Sequence, residues 1–136
     1  MHSRVLNILA GAGLLLAAVL PAAAHHSFSA EFDSNKPITL EGKVVQMEWV
    51  NPHSWLTIDV TKADGSVERW RIEGGSPSVL LRLGWNRNSL PAGTRIKVIA
   101  FQAKDGSLRG SSRDIVFPDG RKMDLGGSGT KEGQDK

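Results

Sequence analysis

The sequence lacks cysteine, a long apolar run and any block of charge of one sign. Without cysteine the chain has no disulfide framework, no lipid-anchoring cysteine and no cysteine nucleophile, so a hydrophobic core must hold it together. The longest run of apolar residues and glycine is residues 8–20, shorter than the roughly 20 residues that span a bilayer. Basic and acidic residues alternate, which is typical of a solvated surface and argues against a nucleic-acid partner.

The N-terminus has the pattern of a cleaved export signal. One arginine precedes the apolar run, which ends at Pro21 and three alanines. Cleavage after Ala24 places alanines at both positions that signal peptidase inspects, whereas cleavage one residue earlier places Pro21 at one of them. We therefore predict a signal peptide at residues 1–24 and a periplasmic protein that begins at His25, with no membrane insertion after cleavage. That mature chain has 16 basic and 14 acidic residues, a net charge of +2.

The apolar pattern of the mature chain predicts a bent first strand followed by a meander. Residues 38–50 alternate between apolar and polar, but the phase changes at Val44 and Val45, close to Gly42. A long strand that bends and presents first one face and then the other to a core has this pattern. Two further alternating stretches flank an Asp-Gly turn at residues 64–65, which is typical of a hairpin.

A short helix is predicted between the third strand and the last two. Ser76 suits the N-cap, Pro77 the first helical position and Gly84 the end. Strands at residues 94–101 and 108–117 follow, joined by a second Asp-Gly turn. Three strands, a helix and two strands are the order of the OB-fold, an all-β, five-stranded small barrel. An open β-sandwich is the alternative, but it gives no reason for the helix.

These patterns divide the chain into four segments. The signal peptide occupies residues 1–24, and an N-terminal extended segment occupies residues 25–37. The OB-like barrel follows at residues 38–125. Residues 126–136 contain no apolar side chain, and we expect them to form a disordered tail.

Five stretches of the mature chain are distinctive sequence motifs. They are HHSFSAEFD, KPITLEGKV, WVNPHSWLTIDV, IEGGSPSVLLRLGW and AKDGSLRGSSRDIVFPDGR. In these stretches the chain resembles a family of small exported bacterial proteins that is catalogued only as a domain of unknown function. The resemblance extends to about Leu125, and HHS and NPHSW are its most recognisable parts. It implies a periplasmic protein and supplies no activity, substrate or cofactor.

The predicted mature terminus is a candidate metal site. The α-amine and imidazole of His25 can chelate one ion, and both lose their protons at modest cost because their pKa values are about 8 and about 6.5. Such nitrogen ligands favour Cu(II) first and Zn(II) next. Cleavage after Ala23 instead would place a histidine third in the chain, an arrangement that also binds Cu(II). A strong site needs a further ligand, so we predict ligation by His25 and His53, with His26 in support.

The connection between the first two strands is a candidate binding loop. In an OB-fold this loop borders the face where ligands usually bind. We expect ligand or partner contacts from Asn51, His53, Ser54 and Trp55, with Trp55 exposed because its neighbours in phase are polar. The partner would be a periplasmic protein, a peptide or a small ligand.

Catalytic patterns are missing from the sequence. His53 and Ser54 are adjacent and point to different sides of the chain, so they do not form a nucleophile–base pair. The EGGS stretch at residues 73–76 lacks the lysine and the spacing of a phosphate-binding loop, and we interpret it as a turn with a helix cap. The sequence favours a non-catalytic exported binding module, with a periplasmic copper- or zinc-binding protein as the alternative.

Overall fold

A computed structural model describes residues 28–129. The predicted signal peptide, His25 and His26 lie outside the described residues. The described part begins with four helical residues, 28–31. The remaining elements are β1 (Phe32–Glu48), β2 (Trp55–Thr61), β3 (Val67–Glu73), α1 (Pro77–Arg82), β4 (Arg95–Ala103), β5 (Arg109–Val116) and β6 (Lys122–Met123). No helix within residues 28–129 combines the length and apolar character needed to cross a bilayer.

Five of the strands form a closed ring of hydrogen bonds. β1 pairs antiparallel with both β2 and β4, β2 pairs with β3, and β4 pairs with β5. A parallel pairing between β3 and β5 closes the ring, and the short β6 extends β5. An open sandwich has no such closure, so the prediction of an OB-like barrel is confirmed.

The bend predicted in the first strand is present as a β-bulge. Val44 pairs with Ile58 and Gln46 with Thr57, which leaves Val45 without a partner of its own. The extra residue bends β1, so that β1 pairs with β4 along most of its length and with β2 at its end. β1 also begins earlier than the predicted Ile38, because the ring of Phe32 is buried beside β4.

The core lies inside the ring, and α1 covers one end of it. The Ser76 hydroxyl accepts a hydrogen bond from the Val79 N–H at 3.4 Å, and Pro77 occupies the first helical turn, as predicted. Leu80 is fully buried. Trp70 and Trp85 are also buried.

The segment after β6 differs from the expected disordered tail. Gly126 and Gly127 are buried, and Gly127 approaches the Ser112 backbone so closely that no side chain would fit. The Gly75 N–H donates a hydrogen bond to the Leu125 carbonyl at 2.8 Å. Glycine permits this close backbone packing because it has no side chain. The disordered tail was predicted from the absence of apolar side chains, and these backbone contacts need none. The remainder of the predicted tail, residues 130–136, lies outside the described residues.

Candidate functional site

The β1–β2 loop is held against the end of β3. The Ser54 N–H donates to the Gly75 carbonyl at 2.9 Å, and the Gly74 N–H donates to the Ser54 carbonyl at 2.8 Å. These bonds continue the β2–β3 ladder beyond Trp55, which is directly opposite Glu73. His53 therefore lies beside the carboxylate that ends β3.

His53 and Glu73 form the most unusual polar contact of the described chain. His53 Nε2 is 3.8 Å from Glu73 Oε1, and the two side chains are 41% and 6% exposed. Glu73 Oε1 is buried without a hydrogen-bond partner among the described residues. A buried carboxylate oxygen without a partner is costly. Glu73 Oε1 is therefore a candidate ligand position, and the neighbouring His53 side chain is exposed to solvent on one side.

Burial dominates the electrostatics of Glu73. Loss of solvent raises the pKa of its carboxyl above the ordinary value, and the charge of Glu31 adds to this rise. His53 and the hydroxyl and backbone N–H of Ser128 favour the ionised form and lower the pKa, without offsetting the burial. A positive charge placed beside Glu73 therefore stabilises its ionised carboxylate.

Glu73 is on the outer face of the barrel, where the strand pattern alone predicts exposure. Its neighbours Arg69 and Arg71 on the same face are exposed, whereas Trp70 and Ile72 point into the core. Two segments from outside the ring act on the carboxylate, one through hydrogen bonds from Ser128 and the other through the charge of Glu31. One is the tail after β6, whose Ser128 lies 3.2 Å from the Ser111 hydroxyl, next to Glu73 in the β3–β5 pairing.

The second covering segment is the helical stretch at residues 28–31. The ring of Phe28 stacks on Phe32 at a centroid distance of 5.8 Å and meets the edge of Phe101 at 5.7 Å. Glu31 faces Arg109 at 3.8 Å. These contacts fix the start of the described chain on the outer face of β4 and β5. We call the group of neighbouring side chains His53, Glu73, Ser111 and Ser128 the Glu73 niche.

The four predicted binding residues have different positions. Asn51 is exposed and His53 half-buried at the Glu73 niche. Ser54 is fully buried and its hydroxyl has no partner among the described residues, so its side chain presents no surface to a ligand. Trp55 is half-buried rather than exposed, because the Arg71 guanidinium lies over its ring, 4.4 Å from the centroid.

Sequence reasoning missed Glu73 as a site residue. It was interpreted as part of a turn before the helix, and its position in the strand predicts a solvated side chain. The one sequence signal was its place in IEGGSP, within a stretch that carries the family resemblance. Within residues 28–129, no group of three or more histidine, aspartate or glutamate side chains is arranged to hold a metal ion. His53 and Glu73 form a pair.

The closed five-stranded ring, with a helix between β3 and β4 and a loop site between β1 and β2, defines a small β-barrel of the OB type. Residues 12–112 match the model of a family of unknown function, DUF6152. The chain belongs to this family, which confirms the resemblance seen in its sequence. Searches among curated proteins and among solved structures gave no match.

Proposed function

We propose that the protein is a non-catalytic binding module exported to the periplasm, and that it binds Cu(II) at the Glu73 niche. One observation carries the proposal. Glu73 Oε1 is buried without a hydrogen-bond partner among the described residues and lies 3.8 Å from a half-exposed imidazole nitrogen. Imidazole and carboxylate are both copper ligands, and Zn(II) is the next best fit to such a set.

The predicted mature terminus supplies the remaining donors. Cleavage after Ala24 leaves the α-amine and imidazole of His25 three residues before Phe28. Three residues span at most about 10 Å. Phe28 touches Gly129, the residue after Ser128, and Ser128 hydrogen-bonds Glu73. The described chain therefore begins beside the segment that carries Ser128, and we propose that His25 reaches the niche, with His26 as a supporting ligand.

Together these groups make a four-donor set. The amine and ring of His25, the ring of His53 and the carboxylate of Glu73 provide three nitrogens and one oxygen. Cu(II) prefers a tetragonal arrangement of nitrogen and oxygen donors. A bound cation also compensates the buried negative charge of Glu73.

The test is a Cu(II) titration of the mature protein with its authentic His25 terminus, followed by calorimetry and the visible d–d absorption band. We expect one equivalent to bind. Removing one of four donors weakens the affinity at least tenfold in His53→Ala and in Glu73→Gln. Blocking the α-amine by acetylation has an effect of the same size.

Glu68→Gln is the matched control, because Glu68 is a half-buried β3 carboxylate paired with Lys62 at the far end of the strand. It should bind Cu(II) like the wild type. A Cu(II) affinity of micromolar or weaker that is equal in the wild type, His53→Ala, Glu73→Gln and Glu68→Gln contradicts the copper proposal.

A second candidate is a periplasmic protein or small organic ligand that binds the β1–β2 loop. The observation in its favour is the surface around Trp55, where Arg71 covers the ring and Val50 is 47% exposed. Trp55→Ala separates the two candidates. Copper binding at the Glu73 niche predicts an unchanged Cu(II) affinity in this variant, because the indole supplies no metal donor.

A further inference from the structure

A concave region lies on the barrel at the opposite end of its strands from the Glu73 niche. We call it the β1 groove. Its volume is about 660 Å³, within the range of about 300–1,000 Å³ that is typical of small-molecule sites. The residues that define its chemistry are Lys43, Val67, Arg95, Ile96, Val116 and Phe117. None of them belongs to the Glu73 niche, so the groove is a separate site.

The groove is lined with charges, most of which are already paired. Glu41 and Lys97 are opposite one another on β1 and β4, 2.9 Å apart. Asp59 is held by two hydrogen bonds from Arg69, at 2.8 and 2.9 Å. These two carboxylates are therefore neutralised by cations of their own.

Two cations of the groove have no carboxylate partner. Lys43 and Arg95 are directly opposite one another in the β1–β4 pairing, and both are exposed. Lys43 is also opposite Asp59 in the β1–β2 pairing, but the hydrogen bonds of the Asp59 carboxylate go to Arg69. Neither forms an ion pair or side-chain hydrogen bond within the described residues. Like charges in such a cross-strand position destabilise a sheet. An anion placed between them removes this repulsion and gains two charge-assisted hydrogen bonds.

An apolar surface adjoins the two cations. Val67 is 58% exposed, one of the few large apolar side chains so exposed in residues 28–129. Ile96 and Phe117 line the groove as buried core residues, 5% and 8% exposed, and Val116 is half-buried there. A ligand for this surface needs an apolar body as well as a negative head.

We infer that the β1 groove binds a small amphipathic organic anion, an apolar body with one carboxylate. The planar Arg95 guanidinium suits a carboxylate in a two-bond arrangement, and Lys43 adds a point charge. The apolar body lies on Val67 and the side chains beside it, where its transfer from water is favourable. This inference is independent of copper binding, since it uses no residue of the Glu73 niche.

The probe is monomeric decanoate, titrated by calorimetry into protein freed of metal with EDTA. We expect one site that binds decanoate at least tenfold more tightly than decanol, which has the same apolar chain and no charge. Arg95→Gln and Lys43→Gln should each weaken decanoate binding about tenfold. Higher salt should weaken it in the wild type, because the two cations are exposed.

Lys36→Gln is the matched control, an exposed lysine of β1 outside the groove, and it should bind decanoate like the wild type. Equal affinity for decanoate and decanol overturns the inference even if a variant fails to fold, because that comparison uses only the wild-type protein. No binding of decanoate, or equal loss in Lys36→Gln and Arg95→Gln, overturns it as well.

Discussion

Two carboxylates on the outer face of the β2–β3 ladder have opposite environments. Asp59 is opposite Arg69 in the ladder, and the hydrogen bonds from Arg69 hold the pKa of its carboxyl below the ordinary value. Glu73 is opposite Trp55, and burial raises the pKa of its carboxyl. The same face of the same strand pair therefore contains a solvated ion pair and a buried acid.

The difference arises from the segments that cover the barrel and not from the strands. Within residues 28–129 the Asp59 and Arg69 side chains remain 31% and 64% exposed, and such a surface pair contributes little to stability because water screens it. Glu73 is buried, with Ser128 of residues 126–129 hydrogen-bonded to it and Glu31 of residues 28–31 acting on it through its charge. The barrel supplies the scaffold, whereas the chain on either side of it creates the chemical character of the candidate site.

The largest expected effect comes from disrupting the packing of residues 126–129, the segment after β6. A Gly127→Ala substitution places a methyl group against the Ser112 backbone, where no space exists. We expect the free energy of unfolding to fall by about 2–3 kcal/mol and the pKa of the Glu73 carboxyl to move back toward its ordinary value. Chemical denaturation measures the first effect, and a carboxyl titration by NMR the second. A fully stable variant would show that the tail does not pack as described.

A smaller effect is expected from the cover before β1. Phe28→Ala removes the ring contacts with Phe32 and Phe101, and we expect a loss of about 1–2 kcal/mol in the free energy of unfolding. Leu81→Ala is the control, because Leu81 is 62% exposed and its truncation should change stability by less than about 0.5 kcal/mol. Equal losses in the two variants would contradict the docking of Phe28.

The pH dependence of stability should differ in sign between the two carboxylates. The folded protein holds the Glu73 proton more tightly than the unfolded chain, because the pKa is raised from its ordinary value of 4.5. Stability from this group therefore falls as the pH rises above 4.5 and through the raised pKa. In metal-free Glu73→Gln this fall should be absent, and stability at pH 7 should be higher by about 1 kcal/mol.

Asp59→Asn is the contrast to Glu73→Gln, and the smallest effect. The hydrogen bonds from Arg69 lower the pKa of Asp59 from its ordinary value of 3.8. The ionised carboxylate therefore stabilises the folded protein above pH 3.8, and this contribution is lost as the pH falls through the lowered pKa. The substitution should therefore reduce the acid sensitivity slightly and leave the protein almost unchanged at pH 7. Thermal unfolding from pH 3 to pH 8 tests both variants, and slopes of the same sign would remove the contrast.

Sequence periodicity was sufficient to predict the barrel. The phase change at Val44 and Val45 predicted the bulge, and Ser76 and Pro77 predicted the start of α1, because these signals depend only on neighbouring residues. The positions of residues 28–31 and 126–129 were not predictable in this way. The environment of Glu73 depends on Glu31 and Ser128, which are far from it in sequence and have no periodic pattern.

The site residues divide along the same line. His53 was predicted because the loop between the first two strands borders the ligand face of an OB-type barrel, and the position of that loop can be inferred from neighbouring residues. Glu73 was missed because alternation assigns it to the solvated face, and only tertiary contacts reverse that assignment. Gly126 and Gly127 were assigned to a disordered tail because glycine carries no apolar signal, although its small size is what permits their close packing.

The contact between Phe28 and Gly129 also constrains the order of folding. These two residues are 101 positions apart, and the Phe28 ring packs directly on the glycine. Closing so long a loop is a late event, since its entropy cost is compensated only once the strands between have paired. A chain synthesised from its N-terminus therefore forms the Phe28–Gly129 contact only after residue 129 has emerged, long after Phe28 itself.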